Sequence, residues 1–467
     1  MDWLHADSYG LARLVLQRGI GLVYVVAFAV ALAQFRPLLG DNGLLPIPRF
    51  LARVSFREAP SLFHAHYSDR FFAIVCGVGL GLSALIVSGV PARWPVAGGI
   101  AIGLVVWALY LSIVNVGQRF YGFGWETLLC EAGFLAAFLG PVWAAPPALI
   151  LWAFRWLLLR VELGAGLIKL RGDPCWRDLT CLYYHHETQP MPNPLSWWFH
   201  RLPKPLHRAE VLGSHLAQLV APALLVLPQP IAGYAACFMA ITQAWLVLSG
   251  NFSWLNLVTI VLCASAMNDR LLGHAHAATS TSAALDVVTG LVAALVLVLS
   301  YRPARNLVSS DQLMNASFDP LHLVNTYGAF GSVGKERVEL VIEGCDHDGT
   351  WREYELPGKP TDPAKRPRQF APWHLRLDWM LWFAALSPAR EMPWLLRFLG
   401  KLLVNDRSML RLVARNPFPD RPPEAIRARL FDYRFTTWAE RRASGAWWKR
   451  TYLRDVVGPM TDPPRMP

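Results

Sequence analysis

Trp152-Ala153-Phe154-Arg155-Trp156-Leu157-Leu158-Leu159-Arg160-Val161-Glu162-Leu163-Gly164-Ala165-Gly166-Leu167-Ile168-Lys169 is an apolar stretch long enough for a bilayer crossing, with four charges set into it. A charge at mid-bilayer costs at least ~2.5–3.5 kcal/mol, so such a helix turns its charges toward protein and gives them partners. Arg155, Glu162 and Lys169 are spaced by seven. Two heptads drift only about 40° on a straight helix, so the three share one face. Arg160 lies off that face. The preceding apolar run adds Glu126 and Glu131. Buried carboxylate–cation pairs between neighbouring helices are expected, either fixing helix register or lining a polar cavity. Gly164 and Gly166 admit a close neighbour, backbone or ligand.

Further apolar runs lie on both sides, at about 17–35, 71–90, 96–115, 126–142, 211–227, 231–249, 252–267 and 284–301. Taken as helices of roughly 20 residues, they predict an α-helical polytopic membrane protein of about nine spans, give or take two. The charge distribution agrees. The first 301 residues carry 18 Lys/Arg and 14 Asp/Glu, the remaining 166 carry 26 and 19. This predicts two parts: a transmembrane domain at 1–301, with long polar loops at 36–70 and 170–209, and a soluble α+β domain at 302–467. In the tail, Arg337–Glu343 alternates with period two, an Asp/Gly-rich turn follows, and Trp351–Leu356 alternates again, as in a β-hairpin. Helices are expected at about 374–386, 391–403 and 406–414, and a further strand at 426–435.

A chain that is 54% hydrophobic, 16% charged, and of mean hydropathy +0.30 excludes a wholly soluble enzyme, a disordered chain and a small disulfide scaffold. The net charge of +11 comes from Arg spread over loops and tail, with no nucleic-acid reading module, so no nucleic-acid partner is expected. No basic region precedes the first apolar run, which argues against a cleavable signal peptide. GxSxG, Walker A and HExxH are absent from the sequence. No internal repeat supports a transporter.

The densest polar segment is the loop after Lys169. It holds Asp173, Trp176, Arg177, Asp178, His185, His186 and Glu187, a candidate rim at the membrane surface. Adjacent His185, His186 and Glu187 point apart, so neither a metal nor another cofactor is expected. Cys175 and Cys181 form a candidate disulfide if this loop faces an oxidising compartment. His215, Gln218, Gln243, Asn251, Asn256 and Asn268 are read as interhelical hydrogen-bonding residues.

Five motifs together resemble the lipase maturation factor family: Gly166–Cys181 (GLIKLRGDPCWRDLTC), His186–Pro194 (HETQPMPNP), Ser249–Asn256 (SGNFSWLN), Val324–Ser332 (VNTYGAFGS) and Ala414–Pro423 (ARNPFPDRPP). The resemblance runs from about residue 8 to 455. It implies a multi-pass membrane protein, more a maturation factor than an enzyme, that helps exported lipase-like proteins fold. The eukaryotic relatives sit in the endoplasmic reticulum. The Ala/Arg/Pro-rich composition suggests a bacterial member, in the inner membrane. Asn325, Tyr327, Asn416 and Phe418, within the tail motifs, are the expected client-binding residues. Gly43–Pro46 and Gly166–Trp176 are also similar to the membrane domain of vitamin K-dependent γ-glutamyl carboxylase. That similarity implies an alternative: a membrane enzyme with Lys169 as base and Glu162 as its partner, acting on a lipid-soluble or peptide substrate. Sidedness is in conflict. The Lys/Arg count of the loops places the tail in the cytoplasm, whereas the family resemblance places it outside. Oligomeric state is left open.

Overall fold

A computed structural model describes residues 4–273, 280–387 and 392–463. The helical body runs through α1 (Gly10–Leu39), α2 (Asp69–Ser88), α3 (Val96–Val116), α4 (Gly124–Ala136), α5 (Ala148–Arg171), α6 (Leu182–Thr188), α7 (Lys204–His215), α8 (Ile231–Ser249), α9 (Leu255–Cys263), α10 (Ala283–Leu299) and α11 (Tyr301–Val308). Its ends follow ordinary capping chemistry: the Ser68 hydroxyl accepts from Phe71 N at the start of α2, and Gly89, with φ 79°, ends it.

The expectation of about nine spans is not supported. Among the described residues, four helices are long and apolar enough to cross a bilayer: Asp7–Leu39, α2, α3 and α8. A fifth exists if α10 and α11, bent by 40°, form one span. Of the other apolar runs, those at 126–142 and 252–267 are apolar because protein surrounds them, whereas the run at 211–227, with Leu216, Val220 and Val226 exposed, is too broken to form one span. The run at 126–142 yields α4, 13 residues long, which at 1.5 Å per residue is about 20 Å against a hydrocarbon core of ~30 Å. Its Leu128, Leu129 and Leu135 are buried in the body. The run at 252–267 yields α9, nine residues followed by a 3-10 turn. The run at 211–227 breaks into the end of α7, a π turn at Leu216–Val220 and a single turn to Leu224. Helix α5 has the length, but Arg155, Arg160, Glu162 and Lys169 are all buried inside the protein.

The tail adds β1 (Arg337–Cys345), β2 (Trp351–Glu353), α12 (Arg376–Leu386), α13 (Pro393–Leu403), β3 (Ala425–Phe435), α14 (Trp438–Ser444) and β4 (Trp448–Met460). The four strands form one antiparallel sheet in the order β2-β1-β3-β4. The expected helix at 406–414 reduces to one turn, Arg407–Leu410.

Period-two alternation divides the sheet between two cores. Leu340, Ile342, Ala428 and Leu430 join the main core, shared with the helical body. Val341, Phe431, Tyr433 and Phe435 pack with Trp197, Trp447 and Trp448. Strand β1 is thus buried on both faces, rather than half-buried, because the 170–209 loop lies over the second face. Trp197 Nε1 donates to Thr436 O at 2.9 Å, and Arg337 donates to the Glu187, Gln189 and Pro190 carbonyls. Trp197 and Trp198 of that loop are therefore tail contacts, both packing against Trp447.

Within α12, the buried Asp378 carboxylate accepts from Gly358 N at 2.6 Å. Burial raises its pKa to about 6, against the opposing pull of that bond and of Lys359. A carboxyl whose folded pKa is raised binds its proton more tightly when folded. Its contribution to stability is full below about pH 4 and is lost as pH rises through the folded value. Asp378→Asn is expected to reduce the loss of stability across that window. Denaturation midpoints measured at closely spaced pH values check this, and an unchanged slope would refute it.

Candidate functional site

Helix α5 reaches into the centre of the molecule, and its charged residues separate into distinct clusters. Arg155 donates to Ser265 O at 3.1 Å and to the Tyr9 hydroxyl at 2.8 Å. Arg160 pairs with Glu131 of α4. The same Glu131 accepts from Asn325 N at 2.9 Å, Asn325 Nδ2 at 3.0 Å and the Tyr327 hydroxyl at 2.8 Å. Glu126 pairs with Arg376 of α12 at 2.7 Å and accepts from the Tyr110 hydroxyl. One of these pairs joins neighbouring helices of the body, as expected. The other crosses to the tail, which sequence reasoning did not anticipate.

Glu162 and Lys169, one face of α5, line a cavity of about 1250 Å³. Gln243 Nε2 donates to Glu162 at 2.8 Å, and Asn256 Nδ2 donates to Gln243 Oε1 at 2.7 Å. Lys169 Nζ donates to Gln218 Oε1 at 2.8 Å and to Ser214 Oγ at 3.3 Å, and lies 4.6 Å from the Trp176 ring centroid. Asp173, Trp176, His185, His186 and Glu210 continue this wall, while Trp125, Phe252, Phe330, Trp379, Trp382 and Phe383 supply an aromatic one. Burial, then the neighbouring His186 and Lys169, push His185 down to about 3, so it is neutral at physiological pH. A broad aromatic surface facing a few convergent polar groups suits a molecule with an apolar body and a polar end.

The close fit of α5 to the tail explains its glycines. A Cβ at Gly164 would strike the Tyr327 carbonyl, and one at Gly172 the Gly331 carbonyl. Gly164 thus serves backbone approach, one of the two roles its position allowed.

The remaining expected residues fall in several places. Asp173 caps the turn Pro174–Arg177 by accepting from Cys175 N, whereas Arg177 and Asp178 are exposed outside the cavity. Cys175 and Cys181 are joined, with Cα atoms 4.8 Å apart. Glu187 faces away from the cavity, accepting from Phe435 N beside His200. Asn325, Tyr327 and Phe418, expected on a client-facing surface, are buried. The first two are held by Glu131, and Phe418 packs against Tyr354. Asn416 accepts from Phe418 N at 3.0 Å and so shapes its own turn. Of the residues read as interhelical bonds, Gln218, Gln243 and Asn256 also line the cavity. Sequence reasoning passed over His207 and Glu210. Their signal is a His-x-x-Glu spacing, which puts both on one face of α7.

The family model for the lipase maturation factor transmembrane domain matches residues 11–274, and that for the lipase maturation factor C-terminal domain matches residues 323–458. The chain belongs to the lipase maturation factor family. Lipase maturation factor 1 of Bos taurus is 39% identical over 513 residues, covering 98% of this chain and 90% of the relative. The Homo sapiens protein of that name is 37% identical, with 98% and 89% covered. Lipase maturation factor 2 of Homo sapiens is 28% identical, with 95% and 82% covered. No solved structure matches the chain. Several apolar helices and a matched transmembrane-domain family model make this member of the family an integral membrane protein. The carboxylase-like alternative is not favoured by these relatives, and Lys169 is engaged by Gln218, Ser214 and Trp176.

Proposed function

We propose that this protein is a membrane-embedded maturation factor that assists folding or assembly of exported lipase-like proteins. Residues 1–301 act as the membrane body and 302–467 as the client-facing part. The observation that carries the reading is the near-complete coverage of relatives named lipase maturation factor 1 at 37–39% identity. The tail offers an exposed Trp438 beside the Trp197 ring, the kind of aromatic surface that protein contacts use. The working membrane is the endoplasmic reticulum in a eukaryotic host and the inner membrane in a bacterial one, with the tail on the side where exported proteins fold.

Deleting the gene is expected to cut active exported lipase by more than half at unchanged lipase synthesis, and expressing this chain is expected to restore it. Unchanged yield and specific activity of every exported lipase would overturn the proposal. Trp438→Ala at normal expression should retain less than the full rescue.

A further inference from the structure

Among the described residues, one group of metal-ligating side chains brings its donor atoms within 4.8 Å of one another: His186, His207 and Glu210. His207 and Glu210 lie one turn apart on α7, with His207 Nδ1 2.9 Å from Glu210 Oε2. His186 comes from α6, and its Nε2 is 3.9 Å from the same oxygen. Both imidazoles are buried, at 3% and 2% exposure. Trp245 Nε1 donates to Glu210 Oε1 at 2.8 Å, which orients the carboxylate and leaves Oε2 toward the two rings.

Hydrogen bonding leaves this cluster incomplete. Among the described residues neither ring nitrogen of His186 has a hydrogen-bond partner, although both are buried. A buried imidazole normally satisfies its nitrogens, so an orphaned one asks for an unseen partner. Two imidazoles and a carboxylate, the last held by an outer Trp N–H, form a recognised zinc donor set. Bonds of ~2.0–2.2 Å in a tetrahedron place donors about 3.3 Å apart, so closing on an ion requires side-chain adjustment of about 1 Å.

We propose that His186 Nε2, His207 Nδ1 and Glu210 Oε2 bind a Zn2+ ion in the wall of the central cavity. Since His186 and Glu210 both line that cavity, the fourth position faces it and takes water or an oxygen ligand. Adjacency in sequence concealed the set. His185 and Glu187, the neighbours that diverge from His186, are not part of it, and its partners come from the next helix.

The test uses the full chain in detergent, stripped with a chelator and desalted. Zn2+ is titrated against a chromogenic competitor, and Co2+ is added separately as a spectroscopic probe. The expected result is one zinc per chain, a melting midpoint that rises with zinc concentration, and the visible absorption of four-coordinate cobalt. His207→Ala and the isosteric Glu210→Gln should each weaken zinc binding more than about 100-fold, beyond the 10–100-fold typical of outer ligands. His347→Ala, at an exposed His–Glu pair, should leave it unchanged. Wild-type protein that binds less than stoichiometric zinc would overturn the proposal. So would binding that survives in Glu210→Gln, or a six-coordinate cobalt spectrum.

Discussion

Arg376→Met is expected to destabilise the folded chain by about 3–5 kcal/mol, because it leaves the buried Glu126 carboxylate without its cation. Both side chains are fully buried. Arg376 Nη1 donates to Glu126 at 2.7 Å and to Phe120 O at 2.7 Å, and its guanidinium stacks 3.4 Å from the Tyr121 ring centroid. The loss reaches beyond the ion pair. Gln34 of α1 clasps the same segment, donating to His374 O at 2.7 Å and accepting from Arg376 N at 3.1 Å. The α12 start is thus the point where the tail is fastened into the helical body. Replacing both partners, as Glu126→Gln with Arg376→Met, should recover much of the loss, since a buried pair often exchanges for neutral groups at little net cost. Thermal and denaturant unfolding in micelles, with limited proteolysis of the tail, checks both. A single variant within about 1 kcal/mol of wild type would refute the assignment, as that is the range of exposed ion pairs.

This fastening shows where sequence reasoning reached and where it stopped. The alternation of Arg337–Glu343 and 426–435 was legible because one strand face differs from the other, and both became the central strands β1 and β3. Strand β4 was not, because its exposed edge mixes Lys449, Arg450, Tyr452 and Leu453 without a clear period and its pairing carries register shifts. The span count failed for a physical reason. Hydropathy registers removal from water, and Leu128 in α4 or Val258 in α9 leaves water by entering protein, with no lipid required. The buried charges were legible as needing partners, but two of those partners, Arg376 and Asn325, lie some 200 residues away in the tail. The cavity wall was half legible. Glu162 and Lys169 stood out as charges in an apolar run, whereas His207 and Glu210 sit in a polar helix where a His-x-x-Glu spacing is a faint mark among other polar residues.

Glu131→Ala is the second change expected to cost about 3–5 kcal/mol, and it separates two roles that one carboxylate performs. Glu131 neutralises Arg160, and it also gathers the 325–327 segment through three hydrogen bonds. Arg160 in turn donates to Asn325 O at 2.6 Å, so charge and backbone are closed into one network. In Glu131→Gln the amide oxygen still accepts, but the charge is lost and Arg160 is left buried and uncompensated. If pairing dominates, the alanine and glutamine variants should be similarly unstable, and Arg160→Met should rescue both. If segment gathering dominates, glutamine should be markedly milder than alanine, and rescue should be weak. The network favours the first outcome, because each member is buried and a lone cation there has no water to turn to. Glu162→Gln provides the contrast, since among the described residues no cation lies within ion-pair distance of Glu162 and its bond to Gln243 has a neutral equivalent. It should change stability by no more than about 1–2 kcal/mol. Because Tyr327 lines the cavity and hangs from Glu131, the glutamine variant also tests whether the cavity wall matters to lipase yield. Loss of rescue at near-normal stability would place that wall in the working surface, and rescue that falls only in step with melting temperature would assign Glu131 to scaffold alone.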